Sequence, residues 1–487
     1  MSNSPSLLSN LVWKFSERTL SQLIKLVIAI ILARILDPRD YGLVGMVTVF
    51  IALSYVIIDG GFNNALIQKK NADALDFSTV LYFSLACSFV IYALFFFSAP
   101  YIAAFYGNGY EELTPILRVL GLQVIIYSMN SVQQAYVAKH MMFRKFFFAT
   151  TWATLISGAI GLYMAYNGYG VWSLVWQGIF AALIELAVLY LMTRKRPILS
   201  FSLQRLRALF RYGVNIFASY FLISAWTEIW SLVIGKLYTP QDLAYYTKGR
   251  AYPSLVVTNI NTSIGAVLFP KISHDQNDLA KVKSTARLSI RFSAYVMFPF
   301  MLALAVVAEP LVRLLLTDKW LPCVPLLQSF CFFYLFHPVH TANIQVIKAI
   351  GRSDIFLKLE VFKKIIEVLT FLAVMRISVK AIVISMATLA ILFTYVNAYP
   401  NRKLIGYSFR EQLTDVAPSL LMAVVMVLAM LSVRLFVSND LLLLITQVAT
   451  GIMVYAILSH LSKNSEYKYI IHTIKTKLGR RIMMDRT

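Results

Sequence analysis

The chain has 487 residues, of which 59% are hydrophobic and only 14% charged, and its mean hydropathy is +0.69. A water-soluble domain carries roughly a quarter charged residues and about half apolar ones, so this composition excludes a soluble core and predicts a membrane protein. The formal charge of +22 does not point to nucleic acid, because the basic residues stand in short clusters between apolar runs, the pattern that orients a membrane chain.

About fourteen stretches come near the ~20 apolar residues that a helix needs to cross a bilayer. In chain order they are Phe15–Leu36, Tyr41–Ile67, Ser78–Phe105, Leu113–Val137, Phe147–Tyr166 and Val171–Met192, then, after a basic linker, Leu209–Tyr238, Leu243–Phe269, Leu288–Leu316, Cys323–Ile347, Ile355–Val374, Val379–Ala398, Val416–Val437 and Leu441–Leu461. The eleventh is interrupted by Lys363, Lys364 and Glu367. The expected fold is therefore an all-α polytopic membrane protein. It is read as two pseudo-symmetric six-helix lobes, 1–200 and 201–405, around a central cavity, with an additional helix pair and basic tail over 406–487.

Loop charge gives the orientation. With the N-terminus in the cytoplasm, the inside clusters are Lys69–Lys70, Arg144–Lys145, Arg194–Lys195–Arg196, the span from Lys271 to Arg291, Arg402–Lys403 and the tail through Arg480–Arg481. Roughly three-quarters of the basic residues then fall inside, which places both termini in the cytoplasm. The tail, with Lys463, Lys468, Lys475, Lys477 and Arg480, is expected to lie along anionic lipid. The first apolar stretch is too long and too polar for a signal peptide and is expected to be retained. Cys87, Cys323 and Cys331 all lie in apolar segments, which predicts no disulfide framework.

Two short blocks repeat at one offset. Ala33–Asp40 aligns with Gly235–Asp242, and Ala65–Lys69 with Val267–Lys271. Both copies of the first block join two helices through a turn containing Pro, with an Asp placed to cap the next helix. Six helices separate the copies, an even number, so the two halves are read as parallel repeats.

Ionisable side chains deep in lipid cost at least ~2.5–3.5 kcal/mol each on insertion scales, so several on one helix face predict a water-filled or protein-lined interior. On the first helix Lys14, Arg18, Gln22 and Lys25 share a face; on the eighth Arg250, Ser254, Thr258 and Asn261 do, with Lys248 nearby and Pro253 freeing a carbonyl. Lys14 and Arg18 are also placed to snorkel to cytoplasmic headgroups, and Lys248 to the outer interface. Arg18, Gln22, Lys25, Lys248, Arg250 and Asn261 are the expected substrate-binding residues, because guanidinium and ammonium groups in a cavity suit a phosphate or diphosphate. Asp59, before Gly60–Gly61, and Glu228, with Ser224 and Ser231 on its face, are the candidate ion-coupling residues; Glu228 could equally pair with Arg250 or Lys25. Glu185 and Glu309 also lie in or near membrane segments. His337 and His340 flank Pro338 with no third ligand close in sequence, and are read as polar residues at a helix kink. The chain has no Walker A, G-x-S-x-G, H-E-x-x-H or dinucleotide-binding pattern, so no cofactor, metal or ATP-driven step is expected.

The stretch Leu32–Gly42, followed by Asp59-Gly60-Gly61-Phe62 and Ala65–Gln68, resembles the polysaccharide flippases of the colanic-acid exporter type, in the multidrug/oligosaccharidyl-lipid/polysaccharide exporter superfamily. That resemblance implies a cavity between two six-helix lobes, alternating access, and an undecaprenyl-diphosphate-linked oligosaccharide moved from the cytoplasmic to the periplasmic leaflet of a bacterial inner membrane. Lipid II flippases of the same superfamily use cations on their first and eighth helices, where Arg18, Lys25 and Arg250 stand here, and have an extra C-terminal helix pair, matched by Val416–Leu461. Membrane lipids and a polysaccharide polymerase machinery are the implied partners of a monomer that is not an enzyme. Two other readings compete. A cation-coupled multidrug antiporter calls for more acids than this set holds. A glycan polymerase or ligase calls for a large outside loop, where this sequence has short ones.

Overall fold

The computed structural model describes residues 7–194, 197–275 and 277–468, without side chains for 7–19 or for several positions between 259 and 267. The side chains of Lys14 and Arg18, the linker pair Lys195 and Arg196, and Lys475, Lys477, Arg480 and Arg481 of the tail therefore lie outside the described residues.

Every regular element among the described residues is helical. That follows from the medium: in hydrocarbon a backbone amide has no water to turn to, and a helix satisfies its own. By their packing the helices fall into two units, Met1–Ala244 and Tyr245–Thr487. The first holds α1 (Leu7–Ile35), α2 (Pro38–Asp59), α3 (Phe62–Gln68), α4 (Ala74–Tyr106), α5 (Leu113–Leu120), α6 (Leu122–Lys139), α7 (Phe143–Tyr166), α8 (Val171–Thr193) and α9 (Leu203–Leu237). α10 (Pro240–His274) begins in the first unit and continues into the second. The second holds α11 (Leu279–Val306), α12 (Ala308–Leu316), a 3-10 turn (Asp318–Cys323), α13 (Val324–Leu335), α14 (His337–Ala349), α15 (Ser353–Val374), α16 (Val379–Leu404), α17 (Phe409–Val433) and α18 (Asp440–Leu461).

Four predicted segments are each two helices. The second breaks at Gly60 and Gly61, whose φ values of +50° and +75° only glycine adopts cheaply. The fourth breaks at Gly121, the ninth at Val307 and the tenth at Phe336. Among the described residues eleven stretches are long and apolar enough to cross a bilayer, which makes this a multi-pass membrane protein. α1, α10 and α15 fall outside that set, so the expected fourteen is not established; they are the long helices with Lys25, with Lys248 and Arg250, and with Lys363 and Lys364 in mid-run.

The repeat blocks have matching local structure. Asp37 and Asp40 form a reciprocal capping box at the start of α2. Thr239 and Asp242 do the same at α10: the backbone N–H and hydroxyl of Thr239 donate to Asp242 Oδ2 at 3.1 and 2.7 Å, and the Asp242 N–H donates to Thr239 Oγ1 at 3.2 Å. The second blocks differ, since α3 ends at Gln68 whereas α10 runs on through Pro270 to His274.

In the first unit two backbone-to-backbone approaches set the position of α2. A Cβ on Gly42 would lie 1.8 Å from the Pro240 carbonyl oxygen, and one on Gly61 would lie 2.3 Å from that of Gly213 on α9. Beside the second approach, Phe62, Leu66, Leu81, Val132, Leu206 and Leu209 form a buried apolar cluster. α1 lies on α7, with Ile28 seated over Gly158 and Ser21 facing Thr150 at 3.4 Å.

In the second unit the α17–α18 pair is tied down by charge. Lys283, Arg287 and Arg291 recur every four residues on α11, which puts them on one stripe. They pair with Glu411 at 3.0 Å, Asp415 at 2.7 Å and Glu466 at 2.8 Å. Asp415, almost fully buried, also accepts from the Tyr407 hydroxyl at 2.8 Å. Elsewhere in the unit Arg434, just after α17, meets Glu309 of α12 at 2.8 Å, and Arg313 meets Asp440 of α18 at 3.5 Å.

The glycine contacts are directly testable. Gly61→Ala combines a strained φ with a backbone clash, whereas Gly109→Ala has the φ (+97°) but open space around it. We expect Gly61→Ala to lower the thermal midpoint of the purified protein well beyond Gly109→Ala, by strain of about 1–3 kcal/mol plus the clash. Equal midpoints for the two variants would show that the α2/α9 approach does not constrain the fold.

Candidate functional site

The second unit carries a series of polar side chains through an apolar interior. It starts on α10. Lys248 Nζ lies 5.4 Å from the centre of the buried Trp320 ring, a cation–π contact. Gly249 lets α10 approach the backbone of Leu327. Arg250 Nε donates to the Tyr334 hydroxyl of α13 at 3.3 Å. Three turns on, the Asn261 amide meets His337 Nδ1 of α14 at 2.6 Å. Arg250 and Asn261 thus share a face, as their spacing predicts, and that face is turned to α13 and α14. The helix continues through Pro253.

The run continues from the two histidines. The rings of His337 and His340 are 5.9 Å apart, and His340 Nε2 meets Thr394 Oγ1 of α16 at 2.7 Å. One turn further Asn343, Asn401 and Gln412 close a buried amide network. Asn343 donates to Gln412 Oε1 at 2.8 Å, and Asn401 donates to Asn343 Oδ1 at 2.6 Å. From α15 the buried Lys363 pairs with Glu360 at 2.6 Å. The kink expected at His337-Pro338 is present, since α13 ends at Leu335 and α14 begins at His337. What sequence reasoning missed is that both histidines are hydrogen-bonded parts of this run; the available signal was a pair at i,i+3 inside an otherwise apolar segment.

The remaining predicted residues lie in the first unit. Gln22 is half-buried and Lys25 exposed on α1. Asp59 ends α2, half-buried, with its Oδ1 out of solvent and without a hydrogen-bond partner among the described residues. Its charge reaches Tyr127, which stacks on Tyr55 at 4.0 Å; the Tyr55 hydroxyl donates to Gln123 Oε1 at 3.2 Å. Glu228 is half-buried on α9, near the buried Ser231. No hydrogen bond joins Gln22, Lys25 and Asp59 to one another among the described residues. Glu185 accepts from Gln134 at 2.8 Å, a pairing of α8 with α6.

The first unit also holds an ion cluster that the sequence did not reveal, at the end bearing Lys69. The fully buried Asp76 accepts from Lys69 Nζ at 2.7 and 2.8 Å and lies 3.3 Å from Arg205 Nη1. Asp73 caps α4 and receives the same guanidinium. Lys139 Nζ donates to the carbonyls of Leu66, Ile67 and Lys69, closing the end of α3. The Ile198 and Ser202 amides donate to Ser78 and Thr79 on α4 at 2.9 and 3.2 Å, which sews the linker to the cluster.

Comparison with known proteins gives four findings. The family model described as "Polysaccharide biosynthesis protein" matches residues 31–325. The chain is 23% identical to the succinoglycan biosynthesis transport protein ExoT of Rhizobium meliloti (strain 1021), over 98% of this chain and 97% of that one. It is 26% identical to the lipopolysaccharide biosynthesis protein WzxC of Escherichia coli (strain K12), over 68% of each chain. Among solved structures it resembles the inward closed conformation of the lipid II flippase MurJ, with a TM-score of 0.75 at 14% identity, covering 94% of this chain and 100% of that one. At that identity the likeness concerns the fold.

Two outcomes are expected for the ion cluster. Asp76→Asn leaves Lys69 and Arg205 without their buried anion and should destabilise the purified protein by about 1–3 kcal/mol, read as a fall in its thermal midpoint; an unchanged midpoint would mean that the cluster is only decorative. The hydrogen bond from Arg205 holds the Asp73 carboxyl at about 2, below the usual carboxylate range. A depressed carboxyl contributes stability above its ordinary pKa and loses it as pH falls through the depressed one. Asp73→Asn should therefore flatten the wild-type loss of stability between about pH 4 and pH 2, and an acid limb identical in the two proteins would exclude that contribution.

Proposed function

We propose that this chain, which belongs to the polysaccharide biosynthesis protein family, is a flippase that carries undecaprenyl-diphosphate-linked oligosaccharide repeat units from the cytoplasmic to the periplasmic leaflet of a bacterial inner membrane. In this reading it acts by alternating access of two lobes, with both termini in the cytoplasm, as a monomer delivering to a polymerase machinery. It is a transporter and performs no covalent chemistry.

The observation that carries this reading is the make-up of the α10 site. Lys248 and Arg250 stand on one helix with an aromatic ring, a hydroxyl and an imidazole drawn from the neighbouring elements. Cations supply charge for a diphosphate, and neutral donors and acceptors suit sugar hydroxyls. The names of the relatives, which speak of transport and biosynthesis for succinoglycan and lipopolysaccharide, support the same substrate class. Arg18, Gln22 and Lys25 on α1 are assigned to the same substrate, and Asp59 and Glu228 to ion coupling. A multidrug antiporter fits less well, because the site is richer in bases than in acids.

Arg250→Ala and Lys25→Ala should each abolish surface polysaccharide in a complementation assay while the protein remains at normal abundance in the membrane. Arg250→Lys should retain part of the activity, since it keeps the charge and loses the planar fork. Normal polysaccharide from both alanine variants would overturn the cation assignment; altered drug susceptibility with intact polysaccharide would favour the antiporter.

A further inference from the structure

The bond between Asn261 and His337 joins α10 to the interior of the second unit, and its chemistry is incomplete on one side. Thr394 donates its hydroxyl hydrogen to the Ala390 carbonyl at 2.9 Å, so towards His340 it can only accept. His340 therefore carries its hydrogen on Nε2. His337 is placed differently: its Nδ1 accepts from the Asn261 side-chain Nδ2 at 2.6 Å. The other end of that amide, Asn261 Oδ1, is out of solvent and has no hydrogen-bond partner among the described residues. A buried carbonyl without a donor is costly to keep, by an amount comparable to a lost hydrogen bond.

A half-turn of the Asn261 amide exchanges its two ends. Oδ1 then faces His337 Nδ1, which is the correct partner once that nitrogen carries a proton. Proton uptake at His337 thus exchanges one unpartnered buried end of the Asn261 amide for the other, so this contact serves both protonation states of the ring. The surroundings bear on the same proton from each side. On α10 stands Arg250, held by Tyr334, whose ring lies 5.9 Å from His337. On α14 is His340, and on α16 Thr394. On α15 the charge of Lys363, paired with Glu360, reaches both rings, while Lys364 pairs with Glu367 one turn away. α11 contributes the apolar Phe298, packed on Phe336.

We propose that His337 is a proton-binding site with Asn261 as its two-state partner, so that proton occupancy sets the orientation of the Asn261 amide on the polar face of α10. Its use in driving transport rests on the function proposed above; the proton site itself does not.

The test is an NMR titration of the full-length protein in lipid nanodiscs with 15N-labelled histidine rings, His337 being assigned from the spectrum of His337→Gln. We expect the His337 ring to gain a proton between about pH 8 and pH 4. Asn261→Asp, which puts a charged acceptor at the same place, should raise the midpoint by about one pH unit or more, and Asn261→Leu, which removes the acceptor, should lower it. A His337 ring that stays neutral in one tautomer throughout that range in the wild-type protein would overturn the proposal, as would an Asn261→Asp midpoint equal to wild type. A merely structural His337 would lose thermal stability as His337→Gln without any titration in the wild type. The readout needs no substrate, so its failure is distinguishable from a failure of the flippase reading, which the polysaccharide assay decides.

Discussion

In a hydrocarbon medium every buried polar group needs a partner supplied by the fold, and most of this structure follows from that requirement. The backbone meets it by being helical throughout its described elements. The side chains meet it by pairing across helices: Asp76 with Lys69 and Arg205, Asp415 with Arg287 and Tyr407, Asn343 with Asn401 and Gln412. Each such group fixes the mutual position of the helices that bear its partners. An unpaired ion would be far more expensive than a badly packed leucine.

The two units use this requirement in different ways. In the first, the buried ionic contacts gather around Asp73 and Asp76, apart from the exposed pair Arg39 and Glu112, and the helix crossings deeper in depend on glycine and apolar packing. In the second, polar groups run through the interior from Arg250 to Gln412, and ion pairs bind α11 to the C-terminal helices. The interior run lies along a broken helix: α13 and α14 part at Phe336, and the turn of the chain there presents His337 to α10.

Much of this was legible in the sequence because it depends on local pattern. Apolar run length gave the helices, and Pro-x-Asp after Asp37 and Thr239 marked two capped starts, whereas the break at Gly60 and Gly61 fell inside a segment read as one helix. The spacing of Arg250 and Asn261 placed them on one face. What the sequence could not give was the partner across that face, since Tyr334 and His337 lie more than seventy residues away from them. The same limit hid the ion cluster, in which Asp76 and Arg205 meet from helices far apart in the first unit's chain. Helix number was hard to read for a related reason: a helix such as α15, in which Lys363 and Lys364 pair with its own Glu360 and Glu367, holds too many charges to be told from an interfacial one by composition.

The approach of Gly61 to Gly213 has a mechanical consequence. Where two helices meet through side chains, sliding or turning one of them means changing rotamers and breaking specific contacts. Here backbone rests on backbone, with Gly213 set against the carbonyl of Gly60 as well. The spacing at that point is fixed by atomic radii and cannot be adjusted, and the crossing angle is held by Phe62 and Leu66 packed against Leu206 and Leu209 beside it. The crossing of α9 over the α2–α3 turn therefore has the properties of a rivet: backbone contact sets its distance and the side chains packed beside it set its angle.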